Sequence, residues 1–353
     1  MSHEEMAPYE WIKRIRPVPE IIDPEVETEE QLPILDEPMV YTMDKKVIIE
    51  AAVTGWQPTH WWRDRGVEHL PAGSRGGDTC IQEQVDSIVE CVQAGASCIH
   101  IHPRRPSDGL PVWHDPALLA EVLDPAFEQV DFITTGHSFS YDLRKSQAVD
   151  FITGTQECLD RGHGNKYLQA SIIATYGAYD EGHYVFTKDS FVEAVTFFEA
   201  NGVKPLFSIE PYYFAQFHRM VFAPGIPKDK PYLIALQMGK HGDNQMFADP
   251  WSYLQVVSNM GLVRSAIPEA DMTLGVHPGG RNWLPTSVLA LLNGAQYVRV
   301  GIEDLFFIWP HRNDIPQTAS QTVEMIADLC RILGREVATV EEAREIMGIR
   351  RTS

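Results

Sequence analysis

From Lys46 onward the apolar positions alternate between two periods. Short apolar runs such as Val47-Ile48-Ile49-Glu50-Ala51-Ala52-Val53 read as buried strands. Between them lie stretches with apolar residues at helical spacing, as over 81–94, where Ile81, Val85, Ile88, Val89 and Val92 form one stripe behind an opening Thr79. The pattern predicts strands at 47–53, 98–102, 131–135, 168–174, 205–210, 232–238, 272–276 and 297–300. Further helices are expected at 115–130, interrupted near Asp124-Pro125, and at 144–161, 187–200, 249–265, 282–293 and 318–334. Strands separated by helices call for a parallel sheet, and eight strands are enough to close it. The predicted fold is α/β, a (β/α)8 TIM barrel. No internal repeat or low-complexity tract interrupts it.

Residues 1–44 differ, because prolines, acids and isolated aliphatics mix there without a sustained period. Trp11, Ile15 and Ile34 need cover, so the segment is expected to be an N-terminal arm laid over the barrel or a neighbouring subunit. The barrel domain is expected over 45–353.

Composition narrows the function. With 353 residues and 44% hydrophobic content the chain can bury a large core. Its 29 basic and 49 acidic residues give a net charge of −20, which argues against nucleic acid and anionic membrane as partners. Five cysteines, with no Cys-x-x-Cys, read as reduced thiols of a cytoplasmic protein. No run is long and apolar enough to span a bilayer, and the first residues lack the pattern of a signal peptide.

The chemistry gathers around Cys98-Ile99-His100-Ile101-His102-Pro103-Arg104. Read as a strand, it puts His100 and His102 on one face. Two adjacent imidazoles are either hydrogen-bonded core residues or metal ligands, and their nitrogens suit zinc. Gly301-Ile302-Glu303-Asp304 follows the last strand. In a closed barrel the last and second strands both flank the first, so Glu303 can reach over the first strand toward the histidines. Two histidines, a carboxylate and an open position describe a catalytic rather than a structural zinc site. A carboxylate after a strand can also be a helix cap.

The chain resembles the β-keto acid cleavage enzyme family in VIIEAAVTG (47–55), AGASCIHIHPR (94–104), Thr134 to Gly136, Ala290 to Ala295, YVRVGIED (297–304) and the closing LGREVATVEEAREIMG. The resemblance implies a zinc-dependent barrel that reacts a β-keto acid with acetyl-CoA to give a new acyl-CoA and acetoacetate or a related product set. It implies His100, His102 and Glu303 as zinc ligands, Asp304 as general base and Arg299 as the arginine paired with it. Thr134 and Thr175 align with hydroxyl residues that hold the substrate carboxylate, though ordinary strand-end threonines read the same way. Glu210 corresponds to the acidic residue of the fifth strand. Gly279, Gly280 and Arg281 follow the seventh strand, where barrels often bind phosphate, and are expected to meet a CoA phosphate or a substrate carboxylate unless they serve as a plain turn.

The chain departs from the pattern at Gly55-Trp56-Gln57, where family members often carry an acid that serves a substrate amine. Gln57 therefore points away from a cationic amino substrate. Gly136-His137 replaces a Gly-Gly pair, and the 58–77 loop adds Trp61, Trp62, Arg63, Arg65 and Arg75. A homo-oligomer, specifically a tetramer, is implied as well. The alternatives are a CoA-independent zinc lyase or hydrolase, and a catalytically inactive metal-binding scaffold.

Overall fold

The computed structural model describes residues 42–55, 62–67, 69–112, 115–137, 152–162, 166–175, 178–179, 182–183, 188–239 and 250–349. Most of the expected arm lies outside these residues. The eight barrel strands are β1 Ile48–Thr54, β2 Cys98–Ile101, β3 Ile133–His137, β4 Ala170–Thr175, β5 Lys204–Ile209, β6 Tyr232–Met238, β7 Met272–Pro278 and β8 Tyr297–Val300. They close in the order β1-β8-β7-β6-β5-β4-β3-β2, every pairing parallel. The expected (β/α)8 barrel is the fold of this chain.

The helices are α1 Cys80–Gln93, α2 Pro116–Phe127, α3 Thr153–Asp160, α4 Lys188–Ala200, α5 Pro250–Ala266, α6 Trp283–Leu292, α7 Ala319–Ile332 and α8 Val340–Met347. The predicted stripe of α1 buries Val85 and Ile88, each worth roughly 1.5–3 kcal/mol when removed from water. Asp115 caps α2 by accepting from the amides of Ala117 and Leu118. The expected interruption of α2 is absent, since Pro125 falls in the last turn and the helix ends two residues later. Thr79 does not cap the backbone of α1; its hydroxyl donates to Glu83 Oε1 at 2.8 Å instead. The expected start of α3 at 144 and the cap Thr187 lie outside the described residues.

Two features escaped the periodicity. A short helical run, Phe214–Phe217 and then His218–Phe222, follows β5. At the other end α8 covers the N-terminal mouth of the barrel. Arg344 grips Asp131 through contacts of 2.6 and 2.7 Å, and Thr273 donates to the Ile346 carbonyl at 3.1 Å. α8 carries a reciprocal capping box between Thr339 and Glu342.

Candidate active site

Paired residues of neighbouring parallel strands share a face, so register locates the interior of the barrel. Glu50 pairs with Arg299 and Ala52 with His100, which puts Glu50, His100 and Arg299 on the inner face. His102 stands just past β2, held by two bonds to the end of β1: its amide donates to the Thr54 carbonyl at 3.0 Å, and Thr54 Oγ1 donates to its carbonyl at 2.6 Å. Glu303 arrives from the turn after β8, its amide donating to the Ala52 carbonyl at 3.3 Å. That approach needs Gly301, whose φ of +133° and contact with the Ala52 backbone leave no room for a side chain.

The three side chains meet as expected. His100 Nε2 lies 3.2 Å from His102 Nε2 and 3.2 Å from Glu303 Oε2, and His102 Nε2 lies 3.6 Å from Glu303 Oε1. Ligands about 2.0–2.1 Å from a tetrahedral ion lie roughly 3.3 Å from one another, so this spacing suits one cation. His100 Nδ1 is 2.6 Å from the Thr135 carbonyl, which only accepts, so Nδ1 carries the proton and Nε2 keeps its lone pair. Burial pushes the His100 imidazole down to about 4; the Arg299 charge acts in the same direction and Glu303 opposes it. The ring is therefore neutral near pH 7, the form a metal ligand needs.

Arg299 is the electrostatic hub. Its Nε donates to Asp304 Oδ2 at 2.6 Å, one Nη reaches Glu303 Oε1 at 2.9 Å, and the other reaches Glu50 Oε1 at 3.3 Å. Burial opposes its charge, but Asp304, Glu303 and Glu50 together hold its pKa above the ordinary arginine value. Glu50, Glu303 and Asp304 are at most 5% exposed. When all three are ionised the cluster holds two more negative charges than positive ones. A divalent cation on the His100, His102 and Glu303 atoms brings that buried group to neutrality, so charge and spacing agree.

The remaining expected site residues divide. Glu210 follows β5 in extended backbone and is 4% exposed. Thr134 faces away from the barrel axis, because β2–β3 register pairs it with Ile99 rather than with a histidine. Its Oγ1 accepts from the Gln169 amide at 3.1 Å, and it lines a pocket with Leu119, Leu123 and Leu168 on the helical side. Alternation explains the change, since the neighbouring Thr135 is the residue whose backbone meets His100. Arg281 donates to the Arg312 carbonyl and to Asn313 Oδ1, both at 2.8 Å, with its guanidinium 3.9 Å from the centre of the Phe307 ring. Its guanidinium thus anchors the segment after β8. Gln57 and the side chain of Thr175 lie outside the described residues.

Sequence reasoning passed over Glu50, although an acid inside VIIEAAV is itself a signal, and it passed over a second interior cluster. Ser208 Oγ is 2.9 Å from His277 Nδ1 and accepts from Gln237 Nε2 at 2.7 Å. The parallel pairing of β5 with β6 and of β6 with β7 brings these three side chains together.

The model of the β-keto acid cleavage enzyme family matches residues 46–349. The chain belongs to this family. It is an enzyme of carbon–carbon bond cleavage, as expected. A protein of Acetoanaerobium sticklandii named 3-keto-5-aminohexanoate cleavage enzyme is 27% identical over 322 residues, covering 86% of this chain and 99% of that one. A Paraburkholderia graminis protein named 3,5-dioxohexanoate:acetyl-CoA acetone transferase is 24% identical over 332 residues, covering 87% and 96%. Among solved structures, apo ObcA superposes with a TM-score of 0.58 at 14% identity over 79% of this chain and 66% of its own, a likeness of fold. Among the described residues no helix is long and apolar enough to cross a membrane.

Proposed function

We propose that this chain is a zinc-dependent β-keto acid cleavage enzyme that uses acetyl-CoA as co-substrate. The observation that carries the reading is the contact between Arg299 and both Glu303 and Asp304, which sets a proton acceptor beside a three-ligand cation site. Zinc held by His100, His102 and Glu303 would supply positive charge where a keto oxygen becomes negative. Asp304 takes the proton from the α-carbon of the keto acid. Arg299 orients that carboxylate and favours its ionised form. The deprotonated α-carbon takes the acetyl group and CoA leaves as its thiolate. The thiolate attacks the original keto carbon, the bond from that carbon to the α-carbon breaks, and Asp304 returns its proton to the α-carbon. The acetyl-CoA named in the Paraburkholderia relative supports the co-substrate.

Gln57 favours a keto acid without a cationic amine, with Thr175 and Glu210 as further contacts. We assign the active form to a cytoplasmic homotetramer in which residues 1–44 contact a neighbouring subunit or the barrel. The test is to incubate the zinc-loaded protein with a panel of β-keto acids, with and without acetyl-CoA, and to weigh the products. A new acyl-CoA formed only with acetyl-CoA supports the proposal. Cleavage that proceeds equally without it overturns the CoA assignment, and no turnover of any keto acid overturns the reading.

A further inference from the structure

Arg104 is fully buried, and among the described residues its guanidinium donates to two backbone carbonyls. One Nη donates to Gly55 at 2.7 Å and the other to Gly109 at 2.8 Å. Its own backbone is clamped as well: the amide donates to Gln84 Oε1 at 2.8 Å, and the carbonyl accepts from Gln84 Nε2 at 3.1 Å and from the Cys80 thiol at 3.3 Å. Desolvating a guanidinium costs several kcal/mol, so its placement calls for a reason.

Gly55 supplies the reason. A Cβ built on it would lie 2.1 Å from Glu303 Cγ and 2.9 Å from Glu303 Cδ. The Glu303 side chain therefore runs directly across the Gly55 backbone on its way to the histidines. Tilting the Gly55 peptide moves the surface that the carboxylate rests on, and metal distances tolerate about 0.2 Å. The same stretch of β1 holds His102 through Thr54. The bearing for the carboxylate and the mount for one histidine are thus a single piece of backbone, and Arg104 ties its far end down.

We propose that Arg104 is a positioning residue for Glu303, acting through the carbonyl of Gly55. This rests on the reading of His100, His102 and Glu303 as metal ligands. Lysine at 104 keeps a positive charge but offers one nitrogen, which cannot replace the fork that spans both carbonyls.

The test uses the full chain stripped of metal and titrated with Co2+, whose visible absorption reports its coordination, with a competing chelator to give the affinity. Arg104→Lys is expected to weaken Co2+ binding by roughly 10–100-fold, the range for outer-shell partners of metal ligands. It should also change the spectrum at saturation. Gly55→Ala, with Arg104 intact, should do the same by pushing on Glu303 directly. The melting temperature of the metal-free protein provides the structural readout. If Arg104→Lys lowers it while Co2+ affinity and spectrum stay as in the wild type, Arg104 only supports the fold and the inference falls. Should that variant fail to fold, wild-type affinity and spectrum in Gly55→Ala overturn the inference equally. Wild-type protein that binds no Co2+ overturns the metal reading itself.

Discussion

Arg299 and Asp304 face each other fork to fork, Nε to Oδ2 at 2.6 Å and Nη2 to Oδ1 at 3.3 Å, with the arginine fully buried. The pair differs from an ordinary structural bridge because the same guanidinium also holds Glu303 and Glu50. One cation thus serves the proposed base, a proposed metal ligand and a third carboxylate that ties the cluster to β1.

The base and the metal ligand should separate by mutation although they are adjacent. Asp304→Asn keeps the shape and removes the proton acceptor. Turnover of a β-keto acid should fall by at least ~100-fold, while metal content measured by atomic emission stays at the wild-type level. Normal turnover with metal retained would place the base elsewhere.

Removing a donor should act on the metal first. His102→Ala and Glu303→Gln are each expected to purify with a small fraction of the wild-type metal and to lose activity in proportion. Emission analysis of freshly prepared protein checks this, and unchanged metal in either variant contradicts the ligand set.

Replacing Arg299 by Ala strands three buried carboxylates without their cation. Loss of one partner from a buried ionic cluster costs about 3–5 kcal/mol. Urea unfolding of the metal-free variant should show a loss of that size, and a midpoint within error of the wild type would contradict it. Arg299→Lys should lose less stability but still impair catalysis, because a single ammonium cannot hold Asp304 and Glu303 in the same fork.

Acid should weaken the closure by α8 through Glu342. A hydrogen bond from Lys46, with help from the Thr339 amide, pulls its carboxyl down to about 2 from an ordinary value of 4.5. A depressed carboxyl adds stability above its unfolded pKa and loses it as pH falls through the folded one. The Glu342 contribution is therefore complete above about pH 5 and fades between 4.5 and about 2. Melting temperatures of wild type and Glu342→Gln should differ most near neutral pH and converge toward pH 2; a constant gap would rule the mechanism out.

The sequence by itself determined the barrel and most of its centre. Strands buried on both faces are continuous apolar runs, so Tyr232–Met238 and Tyr297–Val300 were legible to the residue. Eight of them imply closure, and closure makes the first and last strands neighbours. Glu303 could therefore be matched with His100 and His102 across just over two hundred positions. Period-two alternation alone put both histidines on one face.

Tertiary structure decided what depends on register and on contacts between distant segments. Thr134 and Thr135 are indistinguishable in sequence, and only the pairing of Ile99 with Thr134 turns Thr134 toward the helices. Arg281 looked available until the segment after β8 supplied the Arg312 carbonyl and Asn313 as its partners. Glu50 is one acid in an apolar run until Arg299 lies opposite it on β8. Arg104 and Gly55 are 49 residues apart, and nothing local shows that one holds the other. Periodicity records which way a side chain faces relative to its own element. Which partner it meets is set by the closure of the sheet, through hydrogen bonds and buried charges that form only when distant strands lie side by side.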